Sequence, residues 1–508
     1  MMAFLSRYAI YPVIVLFGAF FSWRLLSIPS RVETAAFMIS FFLIPTLKYP
    51  KFGVYYLFCV PFFIPLFRRM YYLVEDRPEL DYLMLISDGV MGGFICALAL
   101  LWLLNKERAR DPFPILIVVY TVLLFIKVFL GNEYPPVIGL YGFKFHGLYV
   151  MFFFSGAYVL TSTAQVRSLV GFVSCILLFT AVYGIKQILF GFTGFEQKWL
   201  DSITFTTLYI EGVVRPFSTY LSPATLSDGM TILIITGLYW VVSKGRHMAL
   251  FGLLLVASAI WPILIATVRT NWLASLAGIF FYLVFLRIRR GWVKGLLMAF
   301  LLLGVVGSAM KGGGGASQAQ SAAIQGQLTS RDRSLSDIMI KNRTQALANP
   351  LQEYSLQKRL QTWGLIWMMV LRKPFGNGQG SAGYAHSFYF QVLGEIGFPG
   401  IILFLCLLYM AFSRGFKVIK ESRDEMAVEL TRYLLTVVFV ISLLNLTGTH
   451  LHTPPGDLFF WFALGSIHRF YREMMDAQKQ DQLNAQAAAY ENESGRPSDP
   501  LTPAGAPA

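Results

Sequence analysis

The sequence predicts an all-α fold, a polytopic transmembrane helix bundle of about 12–14 spans with one large polar loop between the late spans. Three observations predict it. Of 508 residues, 56% are hydrophobic and only 14% charged, with a mean hydropathy of +0.58; no soluble core hides that much apolar surface. The apolar segments run to roughly 15–25 residues each, which suits spanning helices and exceeds barrel strands. Phe and Tyr are abundant, as expected where rings sit at bilayer–water boundaries.

Taken in order, the candidate spans begin near Tyr8, Glu33, Phe52, Leu83, Phe113, Gly147, Arg167, Leu226, Ala249, Thr270, Val293, Ser387, Arg432 and Asp457. The second and the last are the shortest. The first run follows Arg7 in the manner of a signal peptide. It lacks a small-x-small cleavage site and runs on into a second span, so it reads as a retained anchor. Residues 1–310 then hold spans 1–11, and 386–470 hold spans 12–14. Between them, 311–385 form the large loop. It starts flexibly at Lys311-Gly312-Gly313-Gly314-Gly315-Ala316-Ser317. From Arg331 to Arg372 its residues suit a helix, among them Leu356, Leu360, Trp363 and Trp367. Residues 471–508, polar and Ala/Gln-rich then Pro-rich, read as a disordered cytoplasmic tail.

The net charge of +14 does not call for nucleic acid, because the basic residues cluster in short inter-span loops. The clusters are Lys106/Arg108/Arg110, Lys244/Arg246, Arg287/Arg289/Arg290/Lys294 and Arg414/Lys417/Lys420/Arg423. Even numbers of spans separate them, so all face the cytoplasm together, with both termini. Arg68, Arg69 and Arg77 fall outside in this scheme and run against it. The same scheme puts the segment from Gly191 to Tyr220 and the 311–385 loop outside. Cys59, Cys96, Cys175 and Cys406 lie inside apolar runs without metal-ligand spacing and read as packed thiols.

Three arginines stand out by position. Arg215 lies in Val213-Val214-Arg215-Pro216-Phe217, just before a span. Arg269 lies in Val268-Arg269-Thr270-Asn271-Trp272-Leu273, between two apolar runs with almost no loop. Arg359 lies in the outer loop. A guanidinium matches phosphate oxygens in bidentate fashion and keeps its charge at any relevant pH. Snorkelling is the alternative for Arg269 and Arg215, and a solvated surface for Arg359.

His386 sits where the polar loop meets the next apolar helix. A neutral imidazole there suits accepting a hydroxyl proton or orienting the hydroxyl. Glu395, nine residues on, falls about two and a half helical turns deeper, on a similar face, as a supporting or buried paired group. His450 and His452 form an H-x-H pair without a third ligand, too little for a metal site. Pro374-Phe375-Gly376-Asn377-Gly378-Gln379-Gly380-Ser381-Ala382-Gly383 lacks the Lys-Ser/Thr ending of a phosphate loop and reads as a tight turn. Asp88 and Asp228, in or near spans, are functional candidates by their cost alone.

These pieces, in this order, resemble the O-antigen ligase and polysaccharide polymerase superfamily. They are Arg215-Pro216-Phe217 before a span, Val268-Arg269-Thr270-Asn271-Trp272 opening the next but one, and Pro374-Phe375-Gly376-Asn377-Gly378 leading to His386-Ser387-Phe388-Tyr389-Phe390-Gln391 with Glu395-Ile396-Gly397. The usual small-Arg-Gly-x-Trp is here Val268-Arg269-Thr270-Asn271-Trp272, and the usual His-Asn is His386-Ser387. The resemblance implies a glycosyltransferase of the bacterial inner membrane with its active site facing the periplasm. It implies metal-independent, inverting transfer from an undecaprenyl-diphosphate-linked oligosaccharide, with no cofactor. Arg215, Arg269 and Arg359 would bind the diphosphate, and His386 would be the base or the acceptor-orienting group. Membrane lipid, a chain-length regulator and a flippase are the implied partners. The expected function is a polymerase joining lipid-linked repeat units into an exopolysaccharide or O-antigen; a ligase moving a finished glycan to lipid A-core or protein uses the same donor. A transporter fits less well, because no inverted repeat is visible.

Overall fold

The computed structural model describes residues 31–73, 83, 85–103, 111–131, 135–202, 208–210, 213–243, 245–285, 354–452 and 454–494. Its α-helices, in chain order, are α1 (Arg31–Lys48), α2 (Pro50–Met70), α3 (Leu85–Leu103), α4 (Pro112–Phe129), α5 (Pro136–His146), α6 (Thr163–Phe190), α7 (Gly194–Ser202), α8 (Pro223–Val242), α9 (Arg246–Ile265), α10 (Arg269–Phe280), α11 (Tyr354–Arg372), α12 (Phe388–Glu421), α13 (Glu425–Leu444) and α14 (Gly456–Ser494). One antiparallel ladder, two residues per strand, pairs β1 (Tyr209–Ile210) with β2 (Val213–Val214).

Among the described residues, eight stretches are long and apolar enough to cross a membrane: Pro50–Leu73, Pro112–Phe129, Pro136–Val159, Thr163–Phe190, Pro223–Val242, Arg246–Ile265, Phe388–Glu421 and Glu425–Leu444. The chain is a multi-pass membrane protein. The expected spans near Tyr8 and Val293 lie outside the described residues, as do 311–353 of the large loop. Expected starts at Glu33, Leu83, Thr270 and Asp457 mark α1, α3, α10 and α14, which are not among the eight. The start expected at Gly147 is corrected to Pro136. Lys144 and His146 look like loop residues in sequence, but both are satisfied inside the bundle, Lys144 by Asp88 at 2.7 Å and His146 by Gln379 at 3.1 Å. The helix therefore starts earlier and continues through a 3₁₀ turn, Tyr149–Phe152, and a π turn, Ser155–Val159.

Local chemistry sets the helix starts. Asp111 accepts the Phe113 N–H ahead of α4, with Pro112 at the first helical position. Ser222 and Thr225 close a capping box on α8, with Pro223 behind the cap. Asp424 accepts from the Met426 and Ala427 N–H groups at α13. Each cap contributes on the order of 1 kcal/mol. The α8 helix is the centre of the bundle, buried along its whole length. At its contact with α9, a Cβ on Gly237 would lie 2.8 Å from the Gly252 carbonyl oxygen, so the two backbones meet directly.

Three further expectations are corrected. The tail expected to be disordered from 471 is helical to Ser494, as part of α14; a segment rich in Ala, Gln and Glu has high helix propensity, and composition alone reads it either way. Cys175 and Cys406 are exposed on spans rather than packed, so their thiols face outward from the bundle; Cys59 is half-buried. Arg69, which ran against the charge-based orientation, is fully buried. It donates to the carbonyls of Tyr220 (2.7 Å) and Ser218 (2.5 Å), and its guanidinium lies over Phe217 and Trp199. A buried arginine carries no information about sidedness.

Candidate functional site

The segment bearing Arg215 is held from beneath by a buried polar network. Gln187 Oε1 accepts from the N–H groups of Phe217 (3.1 Å) and Ser218 (2.6 Å). Its amide nitrogen donates to the fully buried Glu196 at 2.7 Å, which also accepts from Tyr183 and Thr193. With Arg69 on the other side, this satisfies the backbone of a turn that Ser218, at φ 53°, bends sharply. Arg215 emerges from it half-buried and donates through Nη1 to the Ala266 carbonyl at 3.1 Å.

Ala266 belongs to the turn between α9 and α10, where Thr267 has φ 56°. Arg269 is the first residue of α10, half-buried, with no acidic residue in the first turn and no side-chain cap at Val268. A cation at the positive end of a helix opposes the macrodipole. An anion placed there answers both the guanidinium and the helix end. The structure thus brings Arg215 and Arg269 to one turn.

Helix α11 meets the start of α12. Trp363 stacks on Phe390 with ring centroids 5.0 Å apart and donates through Nε1 to the Ala385 carbonyl at 2.9 Å. Ile366, Val370, Ala385 and Leu393 form a small apolar core under that contact. This brings Arg359 to His386. The His386 and Tyr384 rings lie 4.2 Å apart. Burial first, and the charge of Arg359 second, hold the His386 imidazole below its ordinary value, so it is neutral at neutral pH.

The expectation that His386 shares a helix face with Glu395 is corrected. His386 has φ 53° and lies outside the helix; Ser387 is the N-cap and α12 begins at Phe388. The Phe388 N–H donates to the carbonyls of Asn445 and Gly448, which pins this corner to the turn after α13. Glu395 points elsewhere. It is fully buried and accepts from Gln391 Nε2 at 3.0 Å. Its Oε2 lies 3.0 Å from His146 Nδ1, off the N–H direction, while that nitrogen bonds Gln379 Oε1. Glu395 supports the fold here, as a paired core group.

The glycine-rich segment does turn tightly, with positive φ at Gly376, Gly378, Gly380 and Gly383. It docks on a break in α12 at Gly397 (φ 79°, ψ −165°). Asn377 and Gly378 donate their N–H groups to the carbonyls of Gly394 and Glu395, and Phe398 donates back to Pro374.

Sequence reasoning missed the pairing of His450 with Asp228. His450 Nδ1 is 2.8 Å from Asp228 Oδ2. The other carboxylate oxygen accepts from Asn271 Nδ2 at 2.7 Å. Asn271 is two residues after Arg269, and His450 sits on the Asn445-held turn that receives the Phe388 N–H. Asp228 therefore links the α10 start to the His386 corner. The H-x-H pair is divided between two networks: His452 is half-buried, 4.1 Å ring to ring from His146. Burial and the two neighbouring histidines hold His452 well below its ordinary value. No group of three or more His, Cys, Asp and Glu side chains with metal-holding geometry occurs among the described residues. The signal for the pairing was Asp228, already a candidate by its cost; a carboxylate a turn and a half inside an apolar helix needs a partner, and its sequence neighbourhood does not name His450.

Two guanidinium groups share the turn before α10, a third lies near the neutral His386 imidazole, and the Asn271–Asp228–His450 bonds run between these places. Such a set suits a polyanion beside a hydroxyl that must lose a proton. No protein-family model matches this chain, and no curated protein matches it.

Proposed function

We propose that this protein is a glycosyltransferase of the bacterial inner membrane that joins undecaprenyl-diphosphate-linked oligosaccharide units into an exopolysaccharide or O-antigen at the periplasmic face. The observation that carries the reading is the meeting of Arg215 with Arg269 at one turn and of Arg359 with His386 at one corner, joined by the Asn271–Asp228–His450 hydrogen bonds and by the Phe388 N–H to the turn that bears His450. A diphosphate leaves readily once its charge is held, and preorganised cations supply that stabilisation. The donor arrives activated, so inversion at the anomeric carbon needs only an oriented hydroxyl and a proton acceptor. Ligation of a finished glycan to lipid A-core or protein uses the same donor chemistry and is the second reading.

Polymer analysis in a deletion strain separates the two. Single repeat units left on the carrier are expected; long chains that never reach their acceptor would mean ligation. A strain with normal polymer would remove both.

The reading also requires the 311–385 loop to lie outside the cytoplasm. A cysteine replacing Gln325, in a background without the native cysteines, is expected to react with an impermeant maleimide in intact spheroplasts. Labelling only after lysis would put His386 in the wrong leaflet.

A further inference from the structure

We infer that His450, held by Asp228, takes the proton from the acceptor hydroxyl, and that His386 orients that hydroxyl. The inference rests on the glycosyl-transfer reading above and names the base within it. The His450 Nδ1 position faces a carboxylate oxygen at 2.8 Å, so Nδ1 carries hydrogen and Nε2 keeps its lone pair. Asn271 fixes the carboxylate at 2.7 Å, and Asn445 Oδ1 fixes the backbone of the turn by accepting from the N–H groups of His450 (3.0 Å) and Leu451 (3.3 Å). The side chain is 10% exposed, enough for a substrate to reach it and little enough to exclude bulk water. Nε2 lies over Gly448, where any Cβ would sit 2.3 Å from it; glycine at that position lets the ring stand where Asp228 can hold it.

The two imidazoles stand in different surroundings. His450 has a carboxylate beside it that can offset the charge of an imidazolium, whereas burial and the Arg359 charge disfavour protonation of His386. A neutral imidazole that resists protonation suits a hydrogen bond to the hydroxyl. Asp228, beside His450, is held in turn by Asn271 from α10.

In the step, the acceptor oxygen forms its bond to the anomeric carbon as the bond from that carbon to the diphosphate oxygen breaks. The electron pair leaves with the lipid diphosphate, against Arg215 and Arg269. The acceptor proton moves to Nε2, and Asp228 offsets the imidazolium charge until the proton passes to water.

The test uses the full chain in nanodiscs, with farnesyl diphosphate as the probe of the anion site, and membranes carrying lipid-linked repeats for transfer. His450→Gln is expected to lower the transfer rate by about 100-fold or more while farnesyl diphosphate affinity stays within about two-fold. Asp228→Asn is expected to lower kcat and leave the donor KM unchanged. Asp228→Glu, which keeps a carboxylate beside Nδ1, is expected to restore part of kcat. His386→Ala should raise the acceptor KM more than it lowers kcat. Near-normal transfer by His450→Gln would overturn the assignment, as would near-normal kcat in Asp228→Asn, whose amide oxygen can still tie the turn to α8 but carries no charge to offset an imidazolium. A kcat loss in His386→Ala as large as in His450→Gln, at unchanged acceptor KM, would transfer the role to His386. If His450→Gln does not fold, the Asp228 pair decides by whether kcat follows the carboxylate charge. Separately, wild-type protein that binds farnesyl diphosphate no better than farnesol would remove the lipid-diphosphate reading, whatever the histidines do.

Discussion

Arg269→Ala, in protein that reaches the membrane at the normal level, is expected to leave less than about one-hundredth of the polymer, the scale set by losing one preorganised charge stabiliser. The residue is the first of α10, at the positive end of that helix and beside the turn that Arg215 grips through the Ala266 carbonyl. Its expected contribution is to the loaded state, where an anion meets both the guanidinium and the helix end. Arg269→Lys keeps the charge and loses the planar fork, and is expected to recover only a few per cent of the polymer, about a ten-fold gain over alanine. Polymer length and amount on gels, at matched membrane levels, measure both. Wild-type polymer from the alanine variant would end the diphosphate role.

Gly397→Ala should destabilise the protein by at least about 3 kcal/mol, from a conformation open essentially to glycine alone and from backbone contact. Its Cβ would lie 2.1 Å from the Pro374 carbonyl oxygen and 2.5 Å from the Gly376 nitrogen, neither of which can turn aside. The displaced segment carries Gln379, whose N–H and side chain reach Lys127, Leu124 and His146. Gly383 has φ 57° but nothing within 4 Å of its Cβ position, so Gly383→Ala isolates the strain alone, at about 1 kcal/mol. Thermal unfolding in nanodiscs compares them; equal losses would mean that the docked turn contributes nothing.

Residue type and local pattern were enough to single out the arginines and His386 as candidates, because a permanent cation in a short turn and a histidine at a polar–apolar junction are local facts. Membrane character and the positions of most span-length helices were legible for the same reason. Partnerships were not. Asp228 and His450 are 222 residues apart, and nothing near either one names the other. Glu395 looked coaxial with His386 because periodicity assumes a continuous helix; the helix starts at Phe388 and breaks at Gly397. Arg69 looked like a topology signal because charge counting cannot see burial under Ser218 and Tyr220. Lys144 and His146 hid the beginning of a span, since polar residues at a helix end resemble a loop until their acceptors, Asp88 and Gln379, are known.

The seclusion of α8 has a consequence for how the chain is made. Asn271 follows Asp228 by 43 residues and His450 by 222, so at about 5–20 residues per second the carboxylate waits roughly 11–44 s for its histidine. Throughout that interval, the helix that ends without lipid contact has lipid or the insertion machinery as its neighbour. Asp228 lies in the second turn, within reach of the headgroups, and can stay hydrated there while the later spans are laid down. The same carboxylate moved to the middle of α8 would face that wait in hydrocarbon, so its depth along the helix is constrained during synthesis before any substrate constrains it.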